Sequence, residues 1–321
     1  MNEIKRREIL FLYDVTFANP NGDPNDENKP RIDEETMINY VTDVRLKRTI
    51  RDYLKDYKNK EIFIFEESGE KGERISKKER IKKYGNDPRK ALEECIDLRL
   101  FGSTFAIENK DKGKNKVETS ETTESQENNL SITGPVQFKF GKSLHRVKLE
   151  FVKGTTVMPG GEGKQAGTFT EKYVLPYSLI CFSGLVNGKV AEIEGINLTL
   201  DDINLMYEGM WEGTKTLFTT SKAQQPRLLL EVVYKDETFH IGDLEKGLKL
   251  ITKVEEEALR SPEDYSVDIT NLVSLLEKYK DHIDFIRVKE GDLIKFNYNG
   301  EQTSLSKVLI DKGFEVKEFG F

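Results

Sequence analysis

The sequence is poor in the side chains that most often carry chemistry. Its 321 residues include only two cysteines, three histidines and one tryptophan. Cys95 and Cys181 cannot build a disulfide framework, and the start MNEIKRREIL lacks the apolar core of a signal peptide, so a reducing, cytoplasmic setting is expected. His145, His240 and His282 lie at no spacing that makes a zinc pair or an acid–base dyad. Long apolar runs are missing too. The longest, Tyr173 to Val186, is too short for a transmembrane helix and is broken by Pro176 and Gly184, so no membrane partner is expected. Hydrophobic residues make up 36% of the chain, thin for a core of this size, which places some segments outside any core. An excess of positive charge is also lacking: the net charge is −7, which taken whole argues against a nucleic-acid partner.

Resolved along the chain, the charge reads differently. Residues 1–230 carry 37 acids and 37 bases, whereas 231–321 carry 20 acids and 13 bases. The whole excess of acid therefore belongs to the last quarter. Basic islands stand in the neutral part, with seven Lys/Arg against three Asp in 41–60 and eight against three Glu in 131–190. A partner within a Debye length, roughly 10 Å at 0.1 M salt, responds to the island and not to the total.

Alternating apolar residues at Ile9, Phe11, Tyr13, Val15 and Phe17, with Leu10 and Leu12 on the other face, predict a central strand over 7–18 covered on both sides. The turn formers NPNGDPN at 19–25 follow it. Leu46, Ile50, Tyr53, Leu54 and Tyr57 predict an amphipathic helix over 42–58 with Thr42 as its N-cap. The first turns of that helix hold Arg45, Lys47 and Arg48, where cations oppose the macrodipole and a phosphate would compensate them.

Residues 60–130 read as an insertion, charge-rich over 66–90, core-like over 91–102, and disordered over 108–129, where Val117 is the one aliphatic residue. Val136, Phe138 and Phe140, then Val147, Leu149 and Phe151, predict strands of a hairpin or meander. The glycine-rich stretch 153–173 predicts a long hairpin excursion with Val157 and Met158 near its tip. A helix over 198–217, weakened at its end by Gly209 and Gly213, a buried strand over 226–234 and further short elements complete the order. This succession of strand, helix, strands, helix and strand predicts one α+β domain over 1–321 with a ferredoxin-like or RNA-recognition-motif core and large insertions.

Hydrolytic equipment is not apparent. In GGEGKQAG at 160–167 the Gly163-Lys164 pair is followed by Gln165, and a strand follows, so neither the hydroxyl nor the helix start of a phosphate loop is supplied. Asp23, Asp26 and Asp33 are the one acidic set suited to a divalent ion, although aspartates in such a loop ordinarily form turns. What accumulates instead are Arg45, Lys47, Arg48 and Arg51; then Lys139, Lys142 and Ser143; then Lys222, Gln225 and Arg227, the equipment of a protein that grips a nucleic-acid backbone.

Five motifs in order, NPNGDP at 19–24, TDVRLKRTIRDYL at 42–54, DLRLFG at 97–102, SITGPVQFKFGKSLHRV at 131–147 and SKAQQPRLLLEV at 221–232, resemble the backbone subunit of type I CRISPR Cascade complexes, of the RAMP superfamily, most nearly that of subtype I-B. The resemblance spans about 5–235. It implies a hand-like elaboration of the RNA-recognition fold, with fingers at 60–130, a thumb hairpin at 153–171 and an acidic part, 235–321, completing the core. It further implies a non-catalytic protein without cofactors, several copies of which stack along a CRISPR RNA beside other Cascade subunits and present the guide to target DNA. On the residues of this chain it implies RNA contacts at Asn21, Arg45, Lys47, Arg48, Arg51, Thr133, Gly134, Gln137, Lys142, Ser143, Lys222, Gln225 and Arg227, with Met158 as a wedge at the thumb tip. The enzymatic alternative is a metal-dependent ribonuclease of the type III kind, using Asp23, Asp26 or Asp33. No aromatic pair stands where a simple RNA-recognition motif stacks bases, so a backbone grip is favoured over stacking on the sheet.

Overall fold

A computed structural model describes residues 4–68, 72–107, 128–159 and 167–321. The expected disordered loop falls almost wholly, and residues 160–166 of the expected thumb hairpin entirely, outside the described residues.

The fold is built around β1 (Arg7–Ala18), which pairs antiparallel with β8 (Gly167–Val186) on one side and β9 (Gln224–Tyr234) on the other. Beyond β9 lie β12 (Ile283–Glu290), antiparallel, and β14 (Val316–Glu318), parallel. On the far side of β8 run β5 (Val136–Phe138) and β6 (Gly141–Arg146), with β2 (Ile38–Val41) paired to β6. The central order is thus β14-β12-β9-β1-β8-β6-β2.

Strand alternation divides the core. Ile9, Phe11, Tyr13 and Val15 face α1 (Asp43–Lys58) and α3 (Leu200–Thr216), packing with Leu46, Ile50, Met206 and Met210. Leu10 and Leu12 pack on the opposite face, with Leu228, Leu230 and Val232, under β10 (Lys249–Thr252), β11 (Tyr265–Asp268), α4 (Thr270–Lys278), β13 (Phe296–Tyr298) and α5 (Leu305–Asp311). Both faces of β1 are covered, which is why its sequence is almost continuously apolar.

Two local expectations need correction, and a third gains its reason. Gly209 and Gly213 lie inside α3, whose span matches the expected helix to within two residues. A Cβ on Gly209 would stand 3.2 Å from Ile50 Cγ2 and one on Gly213 2.9 Å from Tyr53 Cβ, so the glycines permit α1 to press against α3. Thr42 takes the N-cap position but makes no side-chain cap; its backbone N–H and hydroxyl both donate to Asn21 Oδ1, at 2.9 and 3.0 Å. Finally, β5 and β6 form no hairpin with each other. They are two pieces of one interrupted strand along β8, and at the break Phe140 turns out to solvent and stacks on Tyr40 with centroids 6.4 Å apart. The excursion is where the hairpin lies, between β7 (Glu150–Pro159) and the start of β8, and its Phe151 is exposed at the base.

The insertion is pinned to α1 by one buried carboxylate. Asp97, in α2 (Ile96–Phe101), accepts from Arg51 Nε at 2.9 Å and from the backbone N–H groups of Phe63 and Ile64 at 2.7 and 3.0 Å. From Phe101 the chain enters β3 (Gly102–Ile107), paired with β4 (Asn128–Thr133).

Candidate nucleic-acid interface

At the end of the sheet where β1 gives way to its turn, two loops meet. The backbone N–H of Asn19 donates to the carbonyl of Ser221 at 2.9 Å, and Lys222 Nζ donates to the carbonyl of Asn19. The first turn of α1 brings Arg45 to the same place, held by a 3.3 Å bond from its Nη2 to Thr49 Oγ1. Among the described residues neither Arg45 nor Lys222 forms an ion pair. Burial, and then the charge of Arg45, lowers the Lys222 ammonium to about 8. Burial also lowers Arg45, aided by Arg48 and opposed by Tyr13 and by the Asp52 carboxylate. Arg45 Nε and Asn19 Oδ1 are buried without a partner. Two partly buried cations, neither of them ion-paired among the described residues, make a site suited to an anion, and forked N–H donors suit phosphate oxygens.

The other sequence candidates distribute unevenly. Asn21 is spent on Thr42 and ties the turn to the start of α1. Lys47 lies along α1 with Asp43 at 2.8 Å and 5.6 Å from the Phe101 ring centroid, while exposed Arg48 meets Asp52 and Glu66 at 3.5 and 3.3 Å. Thr133, Gly134 and Gln137 cluster beside Phe101: Gly134 is buried against the Phe101 backbone, and exposed Gln137 donates to the Gly134 carbonyl at 2.8 Å. Lys142 is exposed on β6, and Gln225 is exposed at the start of β9. Three candidates turn inward. Arg51 serves Asp97, and Ser143 accepts from the Asn39 N–H and donates to the His145 carbonyl. Arg227 grips buried Asp14 with two bonds of 2.7 and 3.1 Å, in a network with Tyr177 and Tyr265. Met158 lies on β7, beyond the last residue whose side chain is described.

The acidic set is occupied in turns. Asp23 pairs with Arg31 at 2.7 Å, Asp26 with Lys29 at 2.7 Å, and Asp33 accepts from Thr36 and the Glu35 N–H. Among the described residues no three of His, Cys, Asp and Glu gather as a metal site.

Sequence reasoning missed Asn19, whose side chain is buried in the junction, and Phe17, which is 52% exposed at the end of β1 with φ +46°. The alternating pattern assigns Phe17 to the core. Only the backbone angle, which sequence does not display, turns it outward.

A solved chain titled "CRISPR RNA-guided surveillance complex, pre-nicking" has the same fold, with a TM-score of 0.55 and 11% identity over 98% of this chain and 96% of that one. The "CRISPR-associated protein Cas7" of Haloferax volcanii is 34% identical over 99% of this chain and 97% of its own length. The family model of CRISPR-associated protein Cas7 matches residues 5–270, running past residue 235, where the resemblance seen in the sequence ends. On these two sequence matches, the chain belongs to the CRISPR-associated protein Cas7 family.

Proposed function

We propose that the protein is a non-catalytic subunit that holds a CRISPR RNA by its sugar–phosphate backbone, without reading its sequence. Several copies line up along the guide, as the backbone of an interference complex with other subunits, and leave its bases free for target DNA. The observation that carries this reading is the Arg45–Lys222 pair, two partly buried cations at a loop junction that form no ion pair among the described residues. Phosphate contacts position a nucleic acid without specifying it, which is what a holder of variable guides requires.

The sheet supports the same reading. Its β9-β1-β8-β6 order, with α1 and α3 on one face, fits the RNA-recognition-motif core expected from the sequence. In a simple motif the other face binds RNA; here it is filled by residues of the 235–321 part, so the strand ends and loops are the route left for a backbone. Fingers, thumb and the acidic C-terminal part are read as elaborations of this core. The RNA-facing set narrows to Arg45, Lys222, Arg48, Gln137, Lys142 and Gln225, with Lys47 at its margin and Met158 as the thumb wedge. Asn21, Thr133, Gly134, Ser143, Arg51 and Arg227 shape the surface beneath.

The double variant Arg45→Ala/Lys222→Ala tests this. Two lost phosphate contacts should flatten the plot of log affinity against log salt by about 1.4, the single-strand coefficient of about 0.7 per contact taken twice, whatever the guide sequence. An unchanged slope would overturn the reading.

A further inference from the structure

Two aromatic side chains lie a few residues along the chain from the joined loops and belong to no core. Phe17 is 52% exposed and Phe218 74%. They sit on the two strands of chain that Asn19 and Ser221 join: Phe17 two residues before Asn19, and Phe218 three before Ser221 and four before Lys222. Single exposed apolar residues are ordinary on a protein surface. Phe17 is not ordinary, because its φ of +46° puts a bulky L-residue in the left-handed region, where its Cβ crowds the backbone. The ladder leaves room for this conformation. Thr16 pairs with Tyr177 and Ala18 with Leu175, while Phe17 stands across from Pro176, which has no N–H to give. Glycine would fill this position without strain, so an exposed phenylalanine held there is a cost with no return in packing.

The geometry points to a nucleobase-stacking site: Phe17 and Phe218 offer aromatic faces to unpaired bases of the strand whose phosphates Arg45 and Lys222 hold. The ligand class is an unpaired purine or pyrimidine, taken by its π-face and therefore without sequence preference. Cations that form no ion pair among the described residues draw the phosphate to the junction, and rings carried on the two joined stretches of chain meet the bases attached to it. This rests on the backbone-holding function proposed above, and it adds an apolar contact at the loop junction, away from the covered sheet face.

The test compares binding of oligouridylate with that of an abasic ribose–phosphate oligomer of equal length. The unaltered protein should bind oligouridylate about 5- to 150-fold more tightly, the equivalent of about 1–3 kcal/mol for a stacked base. The Phe17→Gly/Phe218→Ala variant should bind the two alike, at the level the unaltered protein shows for the abasic oligomer, with a melting temperature no lower than that of the parent. Arg45→Ala/Lys222→Ala should weaken both oligomers together. Equal binding of the two by the unaltered protein, a preference that survives in the Phe17/Phe218 variant, or marked destabilisation by Phe17→Gly alone would each overturn the stacking site and leave the phosphate grip standing. Binding of neither oligomer would overturn both.

Discussion

Lys222 is the side chain on which pH acts. In the free protein its ammonium titrates at about 8, because it is buried and then because Arg45 stands beside it. A bound phosphate supplies the missing negative charge, so the complex keeps the proton to higher pH than the free protein does. Above pH 8 binding must take up a proton, and RNA affinity should fall by up to about tenfold per pH unit. Lys222→Arg, which does not titrate there, should remove the fall. The fold itself moves the opposite way. The unfolded chain holds this proton up to the ordinary lysine range, so between about pH 8 and that range unfolding takes up a proton and stability rises with pH. Affinity that falls while the melting temperature holds therefore distinguishes titration of Lys222 from denaturation; an affinity flat from pH 7.5 to 9.5 would remove Lys222 from the site. At this scale the sequence is only half readable. Arg45 and Lys222 look no different in it from Arg51 and Arg227. What separates them are the carboxylates Asp97 and Asp14, which are 46 and 213 residues away along the chain and come together only on folding.

Elements were more legible than their junctions. The helical spacing of Leu46, Ile50, Tyr53 and Leu54 gives α1 its bounds within a residue, and alternation gives β1, because burial on a fixed face imposes a period that sequence must carry. Close approach imposes no period. Gly102, at φ +66°, and Gly134 cross so tightly that a Cβ on Gly134 would lie 2.1 Å from the Phe101 carbonyl carbon. The sequence motif around Gly134 reads as part of an RNA grip, whereas the structure gives this glycine a packing reason. Gly134→Ala should accordingly cost about 1–3 kcal/mol in denaturant unfolding, as overpacking does. Stability within a few tenths of the parent would mean that β4 shifts to make room, and that the crossing is softer than its geometry implies. The Phe140 break has the same origin. Alternation continues through it unchanged, and the outward turn comes from where β8 stops offering a partner between Ser183 and Cys181.

For the molecule as a whole, the acidic last quarter is folded back onto the basic island that the sequence displays. Lys139 reaches Asp243 and Glu245 at 2.7 and 2.9 Å, and Arg146 lies 3.5–3.8 Å from Glu255, Glu256 and Glu257. Asp243 is held down to about 2 by its bonds with Lys139 and Lys246. Exposed pairs of this kind contribute little to stability, about 0–1 kcal/mol each, so their main consequence is to take Lys139 and Arg146 out of competition for phosphate. Among the described residues Arg45, Lys222 and exposed Lys142 form no ion pair and are left to meet a phosphate. Opening this arrangement should loosen specificity of place and not the fold. In Asp243→Lys/Glu245→Lys, Lys139 is released and two cations join it. The plot of log RNA affinity against log salt should then steepen by at least about 0.7, one single-strand phosphate contact, while the melting temperature stays within a few degrees. A slope equal to the parent's would show that Lys139 lies off the path of the RNA, and that the acidic part covers the sheet for packing alone.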